Sequence, residues 1–285
     1  MKITIINACS DLGVHVDGSE KGPLALKEID NKVDNTITIN KENVPKEKDK
    51  GNKKKNIIYI NKFNKELYET VTRDNNFVIT LGGDHSIAIG SDLASAKKHK
   101  NIGIFWIDAH SDYHNMDSTI SGNIHGMPLC SITGQNGTDL NEFFDGEYIY
   151  PSKAVIIGAR DIEDAEYINL YNAGVTVITT DYIKENGVKA AMDKAYEIVK
   201  DCDGIHISYD LDVIDPKAAP GVSVSAINGI NEEEAYEIMD EITNNIDKLK
   251  SFDLVELNPD RDIDNKTKNI ALNLLNKLID KLKRS

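Results

Sequence analysis

Three stretches of this chain set acids and histidines directly after a short apolar run, two of them at alternate positions. Phe77-Val78-Ile79-Thr80-Leu81 runs into Gly82-Gly83-Asp84-His85-Ser86, residues 102–107 run into Asp108-Ala109-His110-Ser111-Asp112, and residues 205–209 run into Asp210-Leu211-Asp212. A fourth run, Leu254-Val255, ends at Glu256-Leu257-Asn258-Pro259. Alternate residues of an extended segment share a face, so Asp-x-His-x-Asp and Asp-x-Asp are each expected to present their ligands together. Asp108, Asp112, Asp210 and Asp212 gathered at one place cannot all stay ionised unless a cation lies among them. Two divalent ions would neutralise them, with His85 and His110 completing the shell. Carboxylates and imidazoles without cysteine favour manganese, magnesium or iron-type ions over a structural zinc. A carboxylate shared by two ions about 3.5–4 Å apart makes a two-metal hydrolytic centre.

A single Asp-x-Asp or Gly-Gly-Asp-His is commonly a turn or a helix cap. The same placement after several separate strands is not explained that way. Each apolar run is short and rich in β-branched residues, which reads as a buried strand. In a parallel sheet the ligand crevice lies beyond the carboxyl ends of the strands, where all these clusters fall.

The elements needed to position them are present. Lys2-Ile3-Thr4-Ile5-Ile6 reads as a strand, residues 23–33 as a short helix and residues 36–39 as an edge strand. Further strands fit residues 154–157 and 175–178, and helical patterns lie near 61–73, 86–99, 186–200, 231–246 and 266–283. This alternation predicts a three-layer α-β-α fold around a mostly parallel sheet, with the metal site at the carboxyl ends of its strands. Ser86 and Asn231 fit as helix caps. A single catalytic domain is expected over residues 1–285. Residues 41–56, dense in lysines and acids, read as a solvated charged loop. Gly134-Gln135-Asn136-Gly137 opens a second loop that runs to Ser152.

The net charge of −14 argues against nucleic acid or an anionic membrane as partner and mildly favours cationic ligands. The three cysteines, Cys9, Cys130 and Cys202, have no ligand or disulfide pattern. With no signal peptide and no apolar run of membrane length, a reduced, cytoplasmic protein is expected.

Gly-Gly-Asp-His-Ser, Asp-Ala-His-Ser-Asp and Ser-Tyr-Asp-Leu-Asp-x-x-Asp-Pro together resemble the three signatures of the ureohydrolases, the arginase and agmatinase family. The likeness runs from Gly22-Pro23 to Pro259, and Ser121-Gly122-Asn123-Ile124-His125-Gly126 resembles the arginase branch. The resemblance implies hydrolysis of L-arginine to L-ornithine and urea by a hydroxide bridging two Mn²⁺ ions per subunit. It implies that His85, Asp108, Asp112 and Asp210 bind one ion, and His110, Asp108, Asp210 and Asp212 the other. Glu256 would then hold the guanidinium, and His125 would be the proton shuttle. Asp84, Asp215 and His206 are expected to be structural.

The rim that would read the amino-acid end departs from the family pattern. Ser121 fits a position that contacts the α-carboxylate, but His114 stands where arginases usually carry Asn. In Arg160-Asp161-Ile162-Glu163, Glu163 stands where Asp is more common; Asp161 and Glu163 are both candidate substrate contacts. The stretch Pro220-Gly221-Val222-Ser223-Val224-Ser225 also differs. These departures keep open another ureohydrolase, acting on agmatine, a guanidino acid or a formimino amino acid, and a non-enzymatic scaffold. The expected partner is a small cationic guanidino compound, and the resemblance implies a homotrimer or homohexamer.

Overall fold

The computed structural model describes residues 1–49, 52–136 and 139–285. Lys50 and Gly51 of the charged run, and Gly137 of the second loop, lie outside the described residues. Among the described residues eight strands form one sheet: β1 Ile3–Cys9, β2 Asn35–Asn40, β3 Phe77–Gly82, β4 Ile102–Ile107, β5 Ala154–Ala159, β6 Thr176–Thr179, β7 Gly204–Asp210 and β8 Leu249–Val255. Their order is β2-β1-β3-β8-β7-β4-β5-β6. Every pairing between them is parallel. The strands that end in the four clusters, β3, β8, β7 and β4, are therefore the four central neighbours. That adjacency converges segments far apart in sequence.

Alternation along the strands divides the core between two faces. Phe105 and Ile107 of β4 pack on one side with residues of α7 Val188–Ile198, α8 Glu232–Asn244 and α9 Lys266–Leu282. Ile104 and Trp106 pack on the other with α2 Ile57–Arg73, α3 Ala88–Lys98 and α4 Pro128–Ile132. The expected three-layer fold is present, with the sheet wholly parallel. The short helix expected at 23–33 is α1 Gly22–Ala25 followed by a 3-10 stretch, Lys27–Lys32.

Sequence periodicity missed α4, α5 Asp164–Ala173 and α6 Thr180–Asn186. On α5 only Glu166 and Leu170 are buried, while Tyr167, Ile168 and Tyr171 are exposed, so the helix has no apolar stripe to read. The capping expectation holds at Asn231, whose side chain accepts from Glu234 N–H in a capping box. It shifts at the first cluster. Asp84, not Ser86, is the cap: its carboxylate accepts from Ser86 N–H, and the chain turns through a 3-10 segment before α3.

Gly83 sits where the ends of β1, β3 and β8 meet. Its N–H donates to Ala8, its carbonyl accepts from Glu256 N–H at 2.8 Å, and a Cβ here would lie 1.9 Å from the Ser10 carbonyl oxygen. Backbone on both sides leaves nothing that can yield. Gly83→Ala is expected to cost about 1–3 kcal/mol from overpacking. Thermal unfolding checks this, and a midpoint matching the parent would contradict so close a backbone approach.

Candidate metal centre

Each central strand delivers its functional side chain within three residues of its end. His85 follows β3, Asp108 follows β4, Asp210 ends β7 and Glu256 follows β8. His85 Nδ1 lies 3.1 Å from Asp108 Oδ2, 3.2 Å from Asp112 Oδ2 and 3.1 Å from Asp210 Oδ2. It is buried and hydrogen-bonds to none of them. An octahedral ion holding its ligands at about 2.1 Å sets adjacent ligand atoms about 3.0 Å apart, so this nitrogen and these oxygens fit around one cation. His85 Nε2 pairs with Ser208 Oγ at 2.9 Å, and with that nitrogen as donor the Nδ1 lone pair points to the acids. The ring also stacks on Trp106, centroids 3.9 Å apart and planes 5° from parallel.

A second grouping adjoins the first. His110 Nδ1 is 2.9 Å from Asp212 Oδ2 and 3.5 Å from Asp108 Oδ1. Asp108 thus belongs to both groupings. Asp210 reaches the first through Oδ2, while its Oδ1 accepts from Asp212 N–H at 2.7 Å. Trp106 Nε1–H and His110 N–H donate to the two oxygens of Asp108 at 2.9 and 2.7 Å. Arg160 donates to the carbonyls of Asp212, Val213 and Ala226, which fixes the segment carrying Asp212. Asp112 has φ 49° and Glu256 φ 69°, left-handed conformations that are uncommon for non-glycine residues. They are least expected for Glu256, since the other five among the described residues are all Asn or Asp.

The electrostatics agree with the geometry. Burial, reinforced by Asp108, pushes the Asp112 carboxyl up to about 7. Burial with Asp212 and Asp108 raises Asp210 well above the usual range, and burial with Asp108 raises Asp212. Burial opposes charge on His85 and His110, but the acids around them outweigh it and raise both. Without a cation Asp112, Asp210 and Asp212 keep protons that they release in water, whereas His110 and His85 outweigh burial and hold Asp108 below the usual carboxylate range.

His206 with Asp92 and Asp253 forms another buried His/Asp grouping. His206 Nε2 forms a close ion-pair contact with Asp92 Oδ1 at 2.7 Å, though not a hydrogen bond, and Nδ1 is 2.7 Å from Ser251 Oγ. These side chains lie between α3 and the middle of β7 and β8, away from the cavity, which agrees with a structural His206. Asp84 and Asp215 are also structural: Asp84 accepts from Gly13 and Ser86 N–H, and Asp215 from Lys217 and Gly229 N–H.

A cavity of about 230 Å³ opens over the centre, with Asp112, Asp210, Asp212 and His110 in its lining and His125, Ser121, His114, Asp161 and Glu163 around them. A larger surface hollow near Cys9 and Pro259, about 560 Å³, has no histidine. Glu256 Oε1 accepts from His85 N–H at 2.9 Å and lies 3.2 Å from His125 Nδ1, while Oε2 is buried without a partner. Burial opposes charge on His125, yet the Glu256 hydrogen bond and charge raise its pKa above the usual value. His114 Nε2 lies 3.4 Å from both Glu163 and Glu166 carboxylates. Asp161 Oδ2 comes nearest to His110 Nε2, at 3.8 Å.

Sequence reading did not single out Trp106, Ser208, Glu166, Asn123 or His15. Trp106 and Ser208 stand two residues before a candidate ligand on the same strand, which the strand period could have flagged. Glu166 supports the rim by accepting from Ser111 Oγ–H and from Tyr113 and Glu163 N–H. His15 and Asn123 line the cavity and meet each other at 2.9 Å, and nothing in the sequence marks His15. Burial pushes the Cys9 and Cys130 thiols up to about 11 and 12, so both stay protonated side chains of the interior.

A family model described as "Arginase family" matches residues 1–280. The arginase of Bacillus subtilis strain 168 is 34% identical over 294 residues, covering 98% of each chain. The arginase of Brevibacillus brevis is 40% identical over 211 residues, covering 72% of this chain and 70% of its own. Among solved structures, Entamoeba histolytica arginase in complex with L-ornithine superposes with a TM-score of 0.88 at 29% identity, over 97% of this chain and 98% of its own.

A pH-dependent stability follows from the raised groups. An acid whose folded pKa is raised, as for Asp112 at about 7, holds a proton in the folded chain that the unfolded chain has already released. Stability therefore falls as pH rises from near 4 through about 7. The raised histidines act in the same direction, since their contribution is complete below about 6.5 and is lost as pH climbs through the folded value. Divalent ions need these groups deprotonated, so their stabilisation grows over the same range. Metal-free protein is expected to melt lower at pH 8 than at pH 6, and added Mn²⁺ to raise the midpoint more at pH 8. An equal increment at both pH values would contradict this cluster as the ion site.

Proposed function

The chain belongs to the arginase family, and from that premise we propose that it hydrolyses L-arginine to L-ornithine and urea at two manganese ions in a single catalytic domain. The observation that carries this reading is the pair of His/carboxylate groupings sharing Asp108 at the base of a cavity walled by His125 and Glu163. His85, Asp108, Asp112 and Asp210 are the proposed holders of one ion, and His110, Asp108, Asp210 and Asp212 of the other. When bound, such ions supply counter-charge for the aspartates and a water acidified towards neutrality.

The protein's own groups position the substrate and manage its protons. Glu256 keeps one oxygen on His85 N–H and leaves Oε2 uncommitted, buried beside His125 of the cavity wall, and this oxygen is the proposed acceptor of a charge-assisted bond from the guanidinium. Holding the guanidinium carbon at a fixed place over the centre is catalysis by positioning. The departing ornithine amine needs a proton. His125, kept cationic to higher pH by Glu256, is the proposed donor. At the other end of the substrate, Glu163 is assigned to the α-ammonium and Ser121 with His114 to the α-carboxylate. Asp161, near His110, borders the same space.

One observation favours a second reading. His114 already faces Glu163, so a guanidino acid without an α-amino group would leave that pair intact. We also propose a cytoplasmic homotrimer or homohexamer. Among the described residues no helix is long and apolar enough to cross a membrane.

Agmatine lacks the carboxylate and would forgo its charge-assisted bonds to Ser121 and His114, each a loss of about 1.5–3 kcal/mol. Urea release is therefore expected to be at least about tenfold more efficient from arginine than from agmatine, since 1.4 kcal/mol is a factor of ten. Agmatine, or a guanidino acid, turned over as well as arginine would overturn the arginase reading and leave the hydrolytic centre standing. His125→Ala is expected to lower turnover by about 10²–10⁴-fold with metal content unchanged. Loss of an ion in that variant would make His125 a ligand instead.

A further inference from the structure

The lysine run at 53–55 is not simply solvated. Lys55 is only 3% exposed, a degree of burial lysines rarely reach without partners. Its Nζ donates to the Ser121 carbonyl at 2.7 Å. Lys53 Nζ donates to the Asp117 carbonyl at 2.8 Å, four residues earlier in the same rim segment. Between them the backbones touch. Gly122 has φ 66°, and a Cβ there would lie 2.8 Å from the Asn52 carbonyl oxygen and 3.0 Å from Lys53 Cα.

The brace has a firm base. Asn56 Nδ2 donates to the Leu12 carbonyl, the next residue's carbonyl accepts from His125 N–H, and α2 begins at Ile57. The segment it grips carries the polar rim. Ser121 Oγ accepts from Asn123 N–H at 3.1 Å, which leaves the hydroxyl proton for a ligand oxygen, and His114 Nδ1 meets Ser118 Oγ at 3.1 Å.

We propose that Lys55 is a positioning residue for substrate selectivity: its buried ammonium, with Lys53 alongside, holds the rim segment so that Ser121 presents its hydroxyl to the substrate carboxylate. Lys55 touches Ser121 by the carbonyl and acts through it. This inference rests on the arginine reading for the identity of the ligand, but the brace itself can be tested without any substrate.

The experiment compares Lys55→Met, Lys55→Arg and Lys53→Met in the full metal-loaded chain. Hydrogen exchange reads the brace directly: amides of residues 117–123 are expected to exchange at least about tenfold faster in Lys55→Met, with Lys55→Arg closer to the parent. In the kinetics of Lys55→Met, KM for arginine is expected to rise at least about fivefold while kcat changes less than about threefold. Agmatine, which has no carboxylate to read, is expected to lose less than about threefold in kcat/KM, so discrimination between the two substrates narrows. Unchanged exchange would overturn the proposal, as would equal losses on arginine and agmatine. If the parent protein does not prefer arginine, the functional reading fails and exchange alone judges the brace. Should Lys55→Met not fold, the exposed Lys53→Met is expected to give the same local acceleration to a smaller extent, and its absence overturns the proposal equally.

Discussion

Asp108, Asp112, Asp210 and Asp212 are almost wholly removed from water within a few ångströms of one another. Taking even one carboxylate out of water costs several kcal/mol, and a neighbouring like charge adds to it. Much of the surrounding structure bears on that repulsion. His85 and His110 stand against the acids, backbone N–H groups of His110 and Asp212 point at Asp108 and Asp210, and the Trp106 indole donates to Asp108. These contacts reduce the repulsion without removing it, since Asp112, Asp210 and Asp212 still hold their protons more tightly than usual. What remains is a standing demand for multivalent positive charge.

Rigidity is the second requirement, because ligands that relax apart no longer define a site. The centre is seated on the four middle strands, and the face of β7 and β8 beneath it is polar. His206, Ser208, Ser251 and Asp253 face Ser91, Asp92 and Ser95 of α3. Ser95 Oγ meets Ser251 Oγ at 2.6 Å, and Ser91 Oγ–H donates to Asp253. Such a layer fixes α3 against the sheet by directional bonds where apolar packing would allow sliding. Ser208 carries this order into the site by holding the His85 ring. The strained φ values at Asp112 and Glu256 lie at the same mouth, where aiming a side chain mattered more than backbone comfort.

The centre was legible in the sequence because its chemistry is written in local spacing. Spacing alone marks Asp108, His110 and Asp112, and Asp210 with Asp212, as clusters at strand ends. The extended geometry read into them does not hold: the chain bends after Ile107, Asp112 is left-handed, and Asp212 lies in the 3-10 turn Leu211–Val213. The central strands were equally legible from their apolar runs. Helix α5 was not, because its buried face holds little besides Glu166 and Leu170 and gives no periodic signal. The charged segment before α2 also misled. Composition cannot distinguish a lysine that reaches into water from one that reaches a carbonyl in another loop, as Lys55 does at Ser121. His15 was hidden for the same reason, since its place at the cavity depends on a turn folding over from the end of β1.

The central claim is that Asp108 is shared between two ions close enough to interact. Electron paramagnetic resonance during stepwise loading of metal-free protein with Mn²⁺ tests it directly. The account predicts that the second equivalent per chain replaces the six-line signal of isolated Mn²⁺ with the spectrum of an exchange-coupled pair. Saturation at one equivalent, or two equivalents that keep giving the isolated-ion signal, would contradict it.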